Sequence, residues 1–204
     1  MPRAFTQSGK DKIRLRLLQR GREYFIKYGL KKTSIEDLTR TVGIAKGSFY
    51  KFFDSKEALF LAIHEESEWK IREDVLRKLE TIKDPIEKLR SFFKSSFLIL
   101  EDDPLLRMVF NKEEFENLTS FLSSEQYEEH YRQDILFMEN LFKQWQGDGV
   151  IRHLDVATIS NLIVSTYYIV LQKEALGEEM YAKVTDMLSE CLANYLAETT
   201  IDGN

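Results

Sequence analysis

The 204-residue sequence predicts an all-α fold, with a small N-terminal unit of three helices over residues 1–54 and a C-terminal helical bundle over residues 55–204, about nine helices in all. Three observations carry this. No glycine occurs between Gly47 and Gly147, a gap of 99 residues, and the whole chain has only 3 prolines. No segment shows the apolar–polar alternation of a half-buried strand, whereas apolar residues recur at three- and four-residue spacing. Residues 33–57 hold the stop and start signals of two short helices on either side of a tight turn, with a third helix following.

The elements follow in order. The first helix is predicted over residues 10–28, with Leu17, Leu18, Gly21 and Phe25 inward and Gly29 ending it; residues 1–9 are expected to be disordered. Thr33 or Ser34 caps the second, with Glu36 and Asp37 in its first turn, where the helix dipole favours negative charge. Ile35, Leu38 and Val42 form its apolar face, and Gly43 supplies the left-handed backbone that stops a helix abruptly. A third helix starts near Lys46, with Phe49 and Phe53 four apart and inward. Ser55 caps a long helix to about residue 80. Asp84-Pro85 opens the next and Asp103-Pro104 another, each a cap followed by a first-turn proline. Ser123 or Ser124 starts a helix to about Gln146, ended by Gly147-Asp148-Gly149. Asp155 caps an apolar helix to Leu176, closed by Gly177, and a final helix covers about 179–198.

Between the inward Phe49 and Phe53 and just before them lie Lys46, Gly47, Ser48, Tyr50 and Lys51, all small, polar or basic apart from the tyrosine ring. This is the layout of a helix-turn-helix whose second helix enters a DNA major groove. Charge supports it. Residues 1–56 hold 14 Lys+Arg against 5 Asp+Glu, a net of +9, while the remainder carries a net of −14 inside a chain of net −5 and pI near 5.4. A basic head suits phosphates, and an acidic body repels polyanions. Arg3 and Lys10 are expected to brush the same duplex. Helix-turn-helix geometry gives Thr33 a phosphate through its hydroxyl and N–H, gives Gly47 and Ser48 the base edges, and lets Lys46 and Lys51 reach phosphate or guanine.

The segment resembles the signature of the TetR family of bacterial transcriptional regulators, through Thr33, Ile35, Leu38, Gly43-Ile44, Lys46-Gly47-Ser48, Phe49-Tyr50, Phe53 and Ser55-Lys56-Glu57. With Phe25 and Gly29 upstream, the match covers roughly residues 10 to 60. The resemblance implies phosphate contacts from Tyr50 and Lys56, and a body that dimerises and holds a small effector. Two positions depart from the pattern. Ala45 stands where a capping serine is common, and Phe52 stands where a polar ring is common and cannot hydrogen-bond to a phosphate.

Residues 84–145 hold eight of the fourteen Phe, with Tyr127, Tyr131, Met108, Met138 and Trp145. Most such side chains are plain core; those chosen as pocket lining are Phe93, Phe97, Phe110, Tyr131 and Met138, suited to an apolar or aromatic effector. The helices at 155–176 and 179–198 are the expected dimer interface, represented by Leu162, Tyr167 and Val170, because residues 159–171 are apolar around much of the circumference. The function expected is a ligand-responsive regulator, a repressor that binds a palindromic operator as a homodimer and is released by its effector. The alternative is a helical ligand-binding or protein-interaction dimer with little specific DNA binding.

Enzyme chemistry finds no footing. His64, His130 and His153 are scattered, no phosphate-cradling glycine loop or nucleophile elbow occurs, and no metal or cofactor is expected. Cys191 is the sole cysteine and is expected to be buried and inert. With no apolar run near the ~20 residues that span a bilayer and no secretory signal, the expected location is cytoplasmic, away from membranes.

Overall fold

The computed structural model describes residues 6–110, 124–170 and 172–198, and these form ten helices. They are α1 (Gln7–Lys32), α2 (Ile35–Val42), α3 (Lys46–Phe49), α4 (Lys56–Glu80), α5 (Pro85–Asp102), α6 (Pro104–Phe110), α7 (Ser124–Gly147), α8 (Val156–Val170), α9 (Lys173–Leu176) and α10 (Glu178–Leu196). The fold is all-helical; among the described residues the sole extended pairing is an isolated antiparallel bridge between Ile151 and Ala197.

Most helix boundaries sit where the local signals place them. Ser34 Oγ accepts from Asp37 N–H at 3.1 Å, Ser55 Oγ from Ala58 N–H at 3.0 Å, and Asp84 Oδ1 from Glu87 N–H at 2.7 Å. Asp155 Oδ2 likewise takes the Thr158 N–H at 2.8 Å and the Thr158 hydroxyl at 2.5 Å, and the hydroxyl bond first, then the N–H, lowers the Asp155 pKa. Gly43, with φ 78°, ends α2 in a Schellman arrangement: Ile44 N–H donates to Thr39 O at 3.0 Å and Gly43 N–H to Arg40 O at 3.3 Å.

Three expectations need correction. The first helix starts at Gln7, because Thr6 caps it by accepting from Gly9 N–H at 3.2 Å, so residues 6–9 are ordered. Gly29, with φ 76° and ψ 166°, breaks that helix as expected, and a last turn follows to Lys32. The apolar helix expected to run to Leu176 is described as far as Val170, and Lys173–Leu176 form a separate short helix, α9, closed by Gly177. Cys191 is exposed, on the side of α10 that also carries Met187 and Tyr195.

The chain divides into two compact units. The first comprises Met1–Trp69 and Pro104–Ser124 and holds α1, α2, α3, the start of α4, and α6. Its core gathers Leu17 and Phe25 from α1, Leu38 from α2, Phe49 from α3, Leu59 from α4 and Leu105 from α6, none more than 2% exposed. At Gly21 α1 packs closely on side chains of α4: a Cβ there would stand 2.7 Å from Ile63 Cδ1 and 3.0 Å from Leu59 Cδ2. The Phe25 and Phe60 rings meet edge to face at 5.4 Å in the same crossing.

The second unit comprises Lys70–Asp103 and Glu125–Asn204. Helix α10 packs along α5, burying Tyr181, Ser189, Leu192, Ala193 and Leu196, while Arg90 of α5 makes a two-point ion pair with Glu190 at 2.5 and 2.7 Å. Phe92 of α5 packs edge to face on Trp145 of α7, with ring centroids 5.3 Å apart. Helix α4 is continuous and contributes its later turns here, where Arg72 pairs with Asp134 at 2.7 Å and lies 4.6 Å over the Phe137 ring.

Candidate nucleic-acid interface

A helix of four residues cannot nucleate itself, so the geometry of α3 is set by what anchors it. Phe49 is wholly buried and Phe53 is 7% exposed, their rings 6.1 Å apart, with the Arg14 guanidinium of α1 lying 5.2 Å over Phe53. Backbone bonds from Phe52 and Phe53 N–H to Phe49 O, at 2.8 and 3.1 Å, carry the turn past the end of the regular helix. With the two phenylalanines inward, Lys46, Gly47, Tyr50 and Lys51 face outward, and Ser48 is half-buried between them. Ala45 makes no side-chain cap, as its lack of a hydroxyl requires.

The outward residues differ in what they offer. A Cβ on Gly47 would meet nothing within 4 Å, so the surface above the first turn of α3 is open to close approach. Tyr50 is 52% exposed, its ring held edge-on by Phe49 at 5.6 Å, which leaves the phenol outward. Lys46 Nζ stands 4.0 Å from Glu36 Oε2 with both side chains exposed, a weak tether that a phosphate can displace. Lys51 is exposed. These four, with Ser48, form one basic and hydrogen-bonding surface on the first unit.

Two sequence-chosen residues stand differently. Thr33 is only 3% exposed, and its hydroxyl donates to Gly29 O at 2.8 Å, so its side chain closes the end of α1 rather than facing a phosphate. The Lys56 ammonium is directed at three carbonyls, Leu30 O at 2.7 Å, Thr33 O at 3.0 Å and Lys31 O at 3.2 Å. No local sequence signal could reveal those partners, which lie 23 to 26 residues upstream.

In the second unit a groove of about 250 Å³ runs between α5 and α10, lined by Phe97 and Leu98 on one side and Tyr181, Ala182 and Thr185 on the other, with Lys173 at one end. Burial pushes the Tyr181 phenol up to about 12. Of the five residues chosen as pocket lining, Phe97 borders this groove, Phe93 is sealed in the core at 1% exposure, and Met138 is half-buried on α7. The side chains of Phe110 and Tyr131 lie outside the described residues, as do those of Tyr167 and Val170. Leu162 is 39% exposed on α8. The sequence reading missed the exposed apolar stripe of Met180, Met187 and Tyr195 on α10, which recurs at helical spacing and could have been found by the same periodicity.

Among the described residues no group of three or more His, Cys, Asp or Glu could hold a metal ion, and no helix is long and apolar enough to cross a membrane.

Residues 17–63 match the family model described as bacterial regulatory proteins, tetR family. The chain is 27% identical over 166 residues to the HTH-type transcriptional repressor KstR2 of Mycolicibacterium smegmatis, with 75% of each covered. Among solved structures, it resembles a TetR-family transcriptional regulator from Pectobacterium atrosepticum at TM-score 0.66 and 21% identity, covering 94% of this chain and 97% of that one. It also resembles AibR, solved in complex with isovaleryl coenzyme A and operator DNA, at TM-score 0.58 and 17% identity, covering 88% of this chain and 97% of that one.

Gly47 separates folding from recognition. Because a Cβ fits there without contact, Gly47→Ala should leave the fold intact and stabilise it by up to ~1 kcal/mol through helix propensity. Duplex binding should nevertheless weaken, since the methyl group occupies the space a base edge or phosphate would enter. Thermal melting and a gel shift on the same variant check the two effects; tighter or unchanged binding would remove Gly47 from the interface.

Proposed function

We infer that this chain, which belongs to the TetR family of bacterial regulatory proteins, is a repressor that occludes a promoter as a homodimer on a palindromic operator and leaves it when a small apolar effector binds. At the coarser level it is a DNA-binding transcriptional regulator, and the family is one of regulators rather than enzymes. The observation that carries the proposal is the open, basic first turn of α3, with Gly47 uncovered and Lys46, Tyr50 and Lys51 outward on a head of net +9. In this reading residues 1–54 bind DNA, residues 55–204 dimerise and hold the effector, and the protein works in the cytoplasm.

Gly47 and Ser48 read base edges, while Lys46, Tyr50 and Lys51 hold phosphates; Thr33 contributes through the backbone at the start of α2. One recognition helix makes too few contacts for tight binding, and two-fold symmetry doubles them. The dimer forms through α8 and α10, supported by Leu162, Met180, Met187 and Tyr195, which expose apolar surface without covering it in the single chain. That a protein of this fold can take a small molecule as well as operator DNA is supported by AibR, solved in complex with isovaleryl coenzyme A and operator DNA; the aromatic-rich part of the body is where an apolar effector would sit. Helix α4, continuous from Lys56 to Glu80, is the element through which such binding would change the spacing of the two heads.

A dimer neutralising ~6–10 phosphates should lose about 10³–10⁵ in duplex affinity between about 50 and 200 mM salt. A gel shift across that range tests the function, and an affinity indifferent to salt would sink it.

Leu162→Asp together with Met187→Asp should yield a folded monomer, seen by sedimentation, that has lost specific DNA binding. A wild-type chain sedimenting as a folded monomer at micromolar concentration would refute the dimer.

Effector coupling of ~1–3 kcal/mol loosens DNA binding about 5–150-fold, and linkage then requires operator DNA to weaken effector binding by the same factor. Calorimetric titration of an apolar ligand identified by thermal-shift screening, with and without bound duplex, should show that difference; equal affinities would uncouple the two sites.

A further inference from the structure

We propose that Glu36 is a positioning residue that sets specificity: its carboxylate holds the Lys46 ammonium back from phosphates and over base edges, so that the head discriminates between sequences at the expense of general affinity for duplex. The proposal rests on the DNA-binding reading above, gives a role to a residue that reading leaves out, and moves Lys46 from phosphate to base.

The first turn of α2 carries two carboxylates, Glu36 and Asp37, on a head that is otherwise strongly basic. Asp37 is accounted for within its own helix. Its carboxylate accepts from the Ser34 hydroxyl at 2.6 Å, its N–H donates to Ser34 Oγ at 3.1 Å, and it pairs with Arg40 one turn on. Glu36 takes no part in the cap. Its side chain is 71% exposed, and its ionic partner is Lys46 Nζ, 4.0 Å away across the turn that joins α2 to α3. A pair this exposed contributes little to stability, and Asp37 already places a negative charge at the positive end of α2. Folding alone does not account for the Glu36 carboxylate.

Its position does. Lys46 opens α3, next to Gly47, where the surface is open to close approach. The first turn of a recognition helix stands over base edges, with the phosphate backbones on either side. A lysine there, a point charge on a flexible stem, is drawn to phosphate in any sequence. Glu36 changes that balance. A phosphate that approaches Lys46 also approaches the Glu36 carboxylate, and like charges a few ångströms apart repel. Guanine O6 and N7 are neutral acceptors, so Lys46 can donate to them and keep Glu36 as its neighbour. The carboxylate thus penalises the sequence-independent contact and spares the sequence-dependent one, which is the repulsive element that discrimination uses.

The experiment uses the full chain, a duplex that the wild-type chain enriches from a randomised pool, and a scrambled duplex of the same composition. Each is bound across a salt series, at a temperature where circular dichroism shows every variant folded. Glu36→Gln keeps the size of the side chain and removes its charge. It should bind the scrambled duplex about tenfold more tightly, and its slope of log affinity against log salt should steepen by about one per subunit, as Lys46 turns to a phosphate. Preference for the enriched duplex over the scrambled one should fall by about the same factor. In a Lys46→Met background, Glu36→Gln should leave the slope where it was, because the cation it would free is gone. An unchanged or shallower slope for Glu36→Gln, an undiminished preference, or a steepening that persists without Lys46 would each overturn the proposal. A carboxylate that only supports the fold would lower the melting temperature and leave slope and preference alone, which overturns it as well. A wild-type chain that enriches no duplex, or binds without salt dependence, would instead overturn the DNA-binding reading and this proposal with it.

Discussion

The recognition segment depends on the burial of two phenylalanine rings. Lys46–Phe49 is too short to hold helical geometry alone, and it keeps that geometry because Phe49 and Phe53 are set into the core of the first unit. The core is itself held by the packing of α1 on α4, where a Cβ at Gly21 would press on the Ile63 and Leu59 side chains. Full burial of rings such as Phe25, Phe49 and Phe60 supplies ~1.5–3 kcal/mol each. The outward direction of Gly47, Tyr50 and Lys51 is thus a consequence of what their neighbours bury. An interface made this way can vary its exposed residues while the anchors stay.

Charge is segregated in the same sense. The chain as a whole is acidic, at net −5, yet its first 56 residues are strongly basic. In the second unit Arg90, Lys94 and Lys173 are each ion-paired with carboxylates of the same unit, to Glu190, Asp186 and Glu101 respectively. Such pairs contribute little stability at a surface, but they neutralise the body's cations where they stand. Attraction for a polyanion is concentrated on the head, and the acidic remainder disfavours non-specific adhesion elsewhere.

Helix α10 has two apolar sides and one chain to cover them. The side with Tyr181, Leu192, Ala193 and Leu196 is filled by α5 and its neighbours, whereas Met180, Met187 and Tyr195 face outward. The C-terminal segment after α10 pairs with residues 150–152 through Arg152 N–H to Leu196 O at 2.9 Å and Glu198 N–H to Val150 O at 3.1 Å, which pins the end of that helix. An outward stripe on a helix so firmly held is a rigid surface, the kind that a second copy can meet at low entropic cost.

Local signals in the sequence determined a good part of this protein. Helix starts at Ser34, Ser55, Asp84 and Asp155, the stop at Gly43, and the inward pair Phe49 and Phe53 all depend on interactions within a turn or two, so they are legible in the order of residues. The basic head was legible too, because charge adds without reference to folding. The Thr6 cap stands several residues before the first apolar position of its helix, and no glycine or proline marks the start of the separate helix at Lys173. Only the tertiary structure decided the rest. Whether Cys191 is buried, which side of α10 meets α5, and where the Thr33 hydroxyl and the Lys56 ammonium are spent depend on neighbours brought together by packing. The three carbonyls around Lys56 come from residues that share no local motif with it. A side chain's partner is a property of the fold, since hydrogen bonds of ~3 Å reach are set by proximity in space and not along the chain.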